Sequence, residues 1–211
     1  MLATNGLFFM AVKTVDLTTA SSIMFLSPIV VMLLAIPLLG ETVGIRRIIS
    51  VIIGFVGALV IVRPGVIEFD IAMGFLLVAT VTHALYQIYT RQIRVYDHPL
   101  TSLLYTGVVG MIVMSIIVPF YWQQPTLSHW PFFVLMGMAG CLGHFCLIRS
   151  LRIAPASVVT PFSYTTLIWA TGFSYILFDE LPDIWVYIGA VLIIASGFYI
   201  LFREQKVKQS G

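Results

Sequence analysis

Apolar runs separated by short polar turns fill most of this 211-residue chain. The first, Leu2 to Val12, is about half the ~20 residues that a helix needs to cross hydrocarbon. Seven more reach or approach the full length: Ala20–Leu39, Ile45–Val62, Ile71–Thr90, Leu100–Tyr121, Trp130–Ile148, Val158–Phe178 and Ile184–Phe202. None alternates polar and apolar positions as a barrel strand would. Backbone groups in hydrocarbon must be satisfied within their own segment, so each run predicts a helix. The pattern predicts an all-α polytopic membrane protein with seven full spans plus one partial span.

The layout also occurs twice. Asp16-Leu17-Thr18-Thr19-Ala20-Ser21 leads into an apolar run to Leu39, then the turn Gly40-Glu41, then a run ending at Arg63. Ala154-Pro155-Ala156-Ser157 leads into a run to Phe178, then Asp179-Glu180-Leu181-Pro182-Asp183, then a run to Phe202. Glu41 and Glu180 stand 139 residues apart, and the same offset places Lys13 on Arg152, Ile45 on Ile184 and Gly57-Ala58 on Ser196-Gly197. So long a period is a fold-level duplication, the mark of a transporter built from two halves. The runs Ile71–Thr90 and Leu100–Tyr121 have no upstream copies. The period therefore predicts a ten-span parent, of which two and a half N-terminal spans lie outside this sequence.

Composition sets the solvent. The chain is 60% hydrophobic and 9% charged, with a mean hydropathy of +1.03, against about 25% charged residues in a soluble protein. A net charge of +2 says little, but its distribution orients the spans. With the Gly40-Glu41 turn in the cytoplasm, Arg46, Arg47, Arg91, Arg94, Arg149, Arg152, Arg203, Lys206 and Lys208 share that side, and only Lys13 and Arg63 face away. This positive-inside bias puts the C-terminus in the cytoplasm and gives the two copies opposite orientations, an inverted repeat. Trp122, Trp130 and Trp185 then fall at the outer ends of spans, as interfacial anchors. Cys141 and Cys146 share one apolar run and suggest no disulfide framework.

The residues Arg152-Ile153-Ala154-Pro155-Ala156-Ser157, Pro161-Phe162-Ser163-Tyr164, Phe178-Asp179-Glu180, Gly189-Ala190 and Ser196-Gly197, with Ser27-Pro28 and Leu39-Gly40-Glu41 in the first copy, resemble the drug/metabolite transporter superfamily, specifically its EamA-type members. The resemblance covers nearly the whole chain and implies an inverted repeat of two five-helix halves. Residues 1–63 would be the remainder of the first repeat (the end of its third helix, then its fourth and fifth). Residues 71–203 would be the second repeat, and 204–211 a cytoplasmic tail. Tyr105-Thr106-Gly107, Gly143-His144 and the region Tyr164 to Trp169 look like the branch containing riboflavin and S-adenosylmethionine importers. By the same resemblance the membrane is a bacterial inner membrane.

Such a transporter binds its solute near the midplane between its halves. The run from Ile71 carries Thr80, His83, Tyr86, Gln87, Thr90 and Arg94 on one helical face. Polar side chains in a span face protein or a water-filled cavity, so this stripe is either a substrate surface or a hydrogen-bonded seam. The run from Val158 carries Thr160, Ser163, Tyr164, Thr171 and Ser174. Its first-copy counterparts are Ser21, Met24, Phe25, Met32 and Ala35. Hydroxyls opposite sulfur and ring surface suit an amphipathic organic solute better than a bare ion. Trp169, in mid-span, either stacks on a planar substrate or fills space. His144 follows Gly137, Gly140, Cys141 and Gly143, and either binds substrate or makes a structural hydrogen bond. The candidate substrate-binding set is His83, Tyr86, Gln87, His144, Ser163, Tyr164 and Trp169, with Pro28 and Pro161 as helix breaks or hinges. Glu41 and Glu180 read as turn-defining residues. Ser50, Gly54 and Ala58 form a close-packing seam that joins the halves or a second protomer.

The function predicted is secondary transport of a small organic metabolite by alternating access around a site lined by the spans from Ile71, Trp130, Val158 and Ala20. Export of amino acids or drugs is the alternative in the same class. No phosphate-binding Gly-x-x-x-x-Gly-Lys motif is present. A membrane enzyme would need a nucleophile–base cluster, and Asp97-His98 is the nearest candidate. A non-transporting membrane subunit is the other reading. Neither His83 nor His144 has metal-ligand company at helical spacing, so neither a metal nor a cofactor is expected. The partners expected are a small-molecule substrate and the lipid bilayer, with no nucleic acid, and either a homodimer or a partner that supplies the absent helices.

Overall fold

The structure is a computed structural model and describes residues 1–15, 17–63, 71–122, 124–178 and 184–209. All regular structure among them is helical: α1 (Leu2–Ala11), α2 (Leu17–Met24), α3 (Ser27–Leu39), α4 (Ile45–Val62), α5 (Ile71–Gln92), α6 (Pro99–Ile117), α7 (Trp130–Ile153), α8 (Ala156–Val159), α9 (Thr165–Phe178) and α10 (Ile184–Gln209). The Glu180 turn and Asp16 lie outside the described residues. Among the described residues, five helical segments are long and apolar enough to cross a membrane: Ala20–Leu39, Ile45–Val62, Ile71–Val95, Pro99–Phe120 and Leu127–Ile153. Leu2–Ala11 and the apolar part of α10, Ile184–Ile200, are shorter. The run predicted from Val158 is helical but interrupted, passing from α8 through the 3-10 turn Thr160–Tyr164 into α9. The protein is thus an all-α membrane protein.

The chain divides into two compact units. The first holds Ala3–Ile88 and Pro155–Gly211, with Met1. The second holds Tyr89–Ala154, with Leu2. The division falls inside α5, whose last turn belongs to the second unit.

The first unit is built on a seam between α4 and α10. Small residues at three- and four-residue spacing put one bare face on α4, with Ser50, Gly54, Gly57 and Ala58 buried along it. On α10 the buried face is Gly189, Ile193, Ser196 and Ile200. The helices run antiparallel: a Cβ built on Gly54 would lie 3.0 Å from Ser196 Oγ, and one on Gly57 would lie 2.9 Å from the Gly189 carbonyl. At the far end the Arg63 guanidinium stacks 5.4 Å from the Trp185 ring centre, a cation–π contact across the seam. The seam read from Ser50, Gly54 and Ala58 therefore closes on α10 of the same chain. A second cluster joins α1 to its neighbours through Ala11, Ala20, Ala72 and Leu76, with Thr4 and Thr82 sharing a 3.1 Å hydrogen bond.

Turn chemistry sets the ends. Gly40 terminates α3 at φ +65°, a left-handed conformation that glycine adopts without strain. In the second unit α6 packs against α7. Arg91 donates to the Leu151 carbonyl at 2.6 Å and the Arg152 carbonyl at 3.1 Å, satisfying the C-terminus of α7. Arg152 in turn donates to the Asp97 carbonyl at 2.8 Å.

Candidate functional site

Both proline-containing runs are interrupted where the prolines stand. Proline lacks an N–H and biases the residue before it away from the helix. After α2 ends at Met24, Phe25 and Leu26 form a turn, and α3 restarts at Ser27 with Pro28 in its first turn. Pro161 lies within the 3-10 turn that separates α8 from α9. Broken helices expose backbone groups that need partners inside the membrane. One partner is visible: Thr80 of α5 donates to its own-helix Leu76 carbonyl at 2.8 Å and lies 3.4 Å from the Ile23 carbonyl and 3.5 Å from Met24 Sδ.

The other interruption reaches the same place. The Tyr164 and Phe25 rings lie 6.1 Å apart, tilted by 49°. Tyr164 is 0% exposed and packs in a cluster with Ala58 and Ile193, with Phe25, Phe55 and Leu167 against it. Its ring also covers Gly54, where an added Cβ would lie 2.8 Å from Tyr164 Cδ2. Yet the Tyr164 hydroxyl, like those of Ser27 and Thr160, is buried without a hydrogen-bond partner among the described residues. Buried polar atoms are nearly always bonded. Three orphaned hydroxyls on or beside two helix breaks mark polar capacity that the fold leaves unused.

The remaining predicted residues divide. On α5, Gln87 is buried, and His83 and Tyr86 are half-buried, neither without a partner. Ser163 is exposed on the 3-10 turn, and Trp169 is 68% exposed on α9, so it does not fill a gap within its own unit. His144 lies half-buried on α7 in the second unit and also has a partner. The first unit therefore brings Thr80 and Tyr164 to the break of the first proline-containing run.

Glu41, read as a turn residue, does more than define a turn. Its carboxylate accepts from the Ala156 N–H at 2.8 Å, the Ser157 N–H at 3.2 Å and the Ser157 hydroxyl at 2.5 Å. Arg47 donates to the same hydroxyl at 2.8 Å. The N-cap of α8 is Pro155, which has no capping side chain, so the helix borrows one from Glu41. The missing cap was the only local signal. His98 also has a local task, accepting from the Leu100 N–H at 3.3 Å as the N-cap of α6. No group of three His, Cys, Asp or Glu side chains converges among the described residues.

Comparison with known proteins agrees with this architecture. The chain is 29% identical over 189 residues to an S-adenosylmethionine uptake transporter of Rickettsia bellii (strain RML369-C), across 90% of this chain and 65% of that protein. It is 26% identical over 176 residues to a riboflavin transporter of Vibrio cholerae serotype O1 (strain ATCC 39315 / El Tor Inaba N16961), across 80% of this chain and 57% of that one. The chain thus spans about two thirds or less of these relatives' length. A solved crystal structure superposes with a TM-score of 0.78 at 16% identity, covering 94% of this chain and 73% of that one, which speaks to the fold. The profile of the EamA-like transporter family matches residues 1–63 and 70–202, nearly the whole chain. Interrupted apolar helices, an antiparallel glycine seam and this match together make the chain a member of the EamA-like transporter family.

Proposed function

We propose that this chain carries out secondary transport of a small organic metabolite by alternating access, with uptake as the direction. The observation that carries the reading is the meeting of the two interrupted spans, Tyr164 of one against Phe25 at the break of the other, with Thr80 of the continuous α5 reaching the same break. Discontinuous helices that meet at mid-membrane build the sites of many secondary transporters. His83, Tyr86, Gln87, Ser163, Tyr164 and Trp169 are the proposed substrate contacts of the first unit. His144 is kept as a candidate on α7. Pro28 and Pro161 are the proposed hinges.

The finer architecture belongs to the same proposal. Seven full spans and one partial span form an inverted repeat, with residues 1–63 and 71–203 as its two parts and 204–211 as a tail. The seam supports this reading. The offset of 139 carries α4 onto α10 and Phe25 onto Tyr164, and it turns the pair Gly54–Ser196 into Ile193–Gly57, which also touch. A twofold relation requires that reciprocity. The basic ends of the spans and the C-terminus lie in the cytoplasm of a bacterial inner membrane.

Two relatives named as transporters of S-adenosylmethionine and riboflavin make ring-bearing, nucleoside-like or flavin-like solutes the first to try. The test is uptake of labelled S-adenosylmethionine, riboflavin and an amino-acid panel by cells expressing the chain, alone and behind the N-terminal third of the Rickettsia relative. Saturable uptake of one ring-bearing solute is expected. Efflux of amino acids without uptake would instead favour an exporter, and no flux at normal membrane abundance in either form would favour a non-transporting subunit.

A further inference from the structure

The basic end of the α4–α10 seam opens into two cavities. A cavity of about 700 Å³ opens there between the α3–α4 turn, Pro155 and the α10 residues Tyr199 and Ile200, with Arg46, Arg47 and Ser50 in its wall. A second cavity of about 310 Å³ shares Arg46, Ser50 and Tyr199 with the first. It continues one helical turn along the seam, between Ile49 and Ile53 of α4 and Ala195 of α10. One end of this continuous groove is polar and cationic. The other is walled by side chains exposed on the flank of a membrane helix.

The electrostatics of the polar end are unusual. A helix N-terminus already carries positive partial charge, and basic residues there are unfavourable. Helix α4 starts at Gly44 without a capping side chain and puts Arg46 and Arg47 in its first turn. The nearby carboxylate of Glu41 is committed to α8 and Ser157, and Arg47 is tied to Ser157 and to the Thr42 carbonyl at 3.5 Å. Arg46 has no side-chain partner among the described residues. Among the described side chains, none supplies Arg46 with an anion.

We propose that the groove binds an anionic phospholipid, its phosphate between Arg46 and the α4 N-terminus and one acyl chain along Ile49, Ile53 and Ala195. From Arg46 to Ile53 the helix rises roughly 10 Å, the depth from headgroup to upper acyl chain. Charge selects an anionic headgroup, as basic pockets at the ends of spans do. The apolar continuation selects a lipid over a free anion. The site does not depend on which solute is carried, and it ties the seam of the first unit to the composition of its leaflet.

Native mass spectrometry of the delipidated chain in detergent, mixed with dioleoylphosphatidylglycerol, dioleoylphosphatidylcholine or inorganic phosphate, tests this. Retention of phosphatidylglycerol should exceed that of phosphatidylcholine. Arg46→Gln should cut phosphatidylglycerol retention about fivefold and leave phosphatidylcholine unchanged, while Arg46→Lys keeps the preference. Ala195→Trp, which fills the apolar groove, should lower phosphatidylglycerol retention with Arg46 intact. Lipid-free melting of each variant reads folding separately. Equal retention of the two lipids, or indifference to Arg46→Gln, overturns the proposal. So does displacement of phosphatidylglycerol by millimolar phosphate together with an inert Ala195→Trp, which would make the site one for free anions.

Discussion

Tyr164 shows how a single side chain can carry opposite demands. Its ring is a core element, locked over Gly54 and against Phe25, while its hydroxyl contributes no bond to the fold. An unsatisfied buried hydroxyl costs about 1–3 kcal/mol. Tyr164→Phe should therefore melt at the wild-type temperature or above it, yet lower uptake about tenfold, the worth of one lost hydrogen bond to the solute. Equal uptake would make Tyr164 a packing residue. Glu41 is the reverse case, a surface-turn acid with a structural task. Glu41→Gln gives up the charge behind two N–H bonds and a hydroxyl bond, and should lower stability by about 1–2 kcal/mol, read as a lower melting temperature in detergent. The sequence marked Tyr164 because it stands in a stripe of hydroxyl residues along the run from Val158. It did not mark the task of Glu41, because the partners Ala156 and Ser157 stand 115 and 116 residues away. Trp169 was harder to place for a related reason. The large apolar residues of α9 are spread around the helix, so periodicity could not say which face Trp169 takes.

Among the elements, those whose faces differ in size were the legible ones. The spacing of Ser50, Gly54 and Ala58 announced a seam, and the structure supplies its partner, α10. The prolines announced the interruptions, although the two-residue turn at Phe25-Leu26 and the five-residue 3-10 turn from Thr160 depend on tertiary contacts that no local pattern encodes. The seam makes a sharp prediction about glycine. A Cβ on Gly189 would lie 2.5 Å from both the Gly57 carbonyl and Ile61 Cγ1. Gly189→Ala should therefore destabilise the protein by about 1–3 kcal/mol, as overpacking does. Gly74, on α5, has nothing within 4 Å of an added Cβ, and the same substitution there should be neutral or stabilising by up to ~1 kcal/mol through helix propensity. Melting temperatures of the two variants should move in opposite directions. Matching shifts would mean that the seam is looser than its geometry.

For the whole molecule, composition alone specified a helical membrane protein, and charge bias supports the orientation proposed above. That orientation gives a prediction independent of transport. In a background with Cys141 and Cys146 replaced by alanine, a membrane-impermeant maleimide added outside should label Gln124→Cys, between α6 and α7, and spare Thr42→Cys, between α3 and α4. Both positions are exposed. The opposite labelling would reverse the topology and remove the cytoplasmic assignment of the basic residues.

The partnership between Gly57 and Gly189 also constrains how the protein is made. These residues are far apart in the order of synthesis, and α10 leaves the ribosome long after α4. At typical elongation rates α4 waits on the order of ten seconds for its mate. During that wait its bare face has no α10 to close on. A strip of glycine, alanine and serine suits such a delay, because it offers little for a wrong helix to grip and no charge to stall insertion. The residues that let two backbones touch in the folded protein are thus also those that keep the nascent chain uncommitted until α10 arrives.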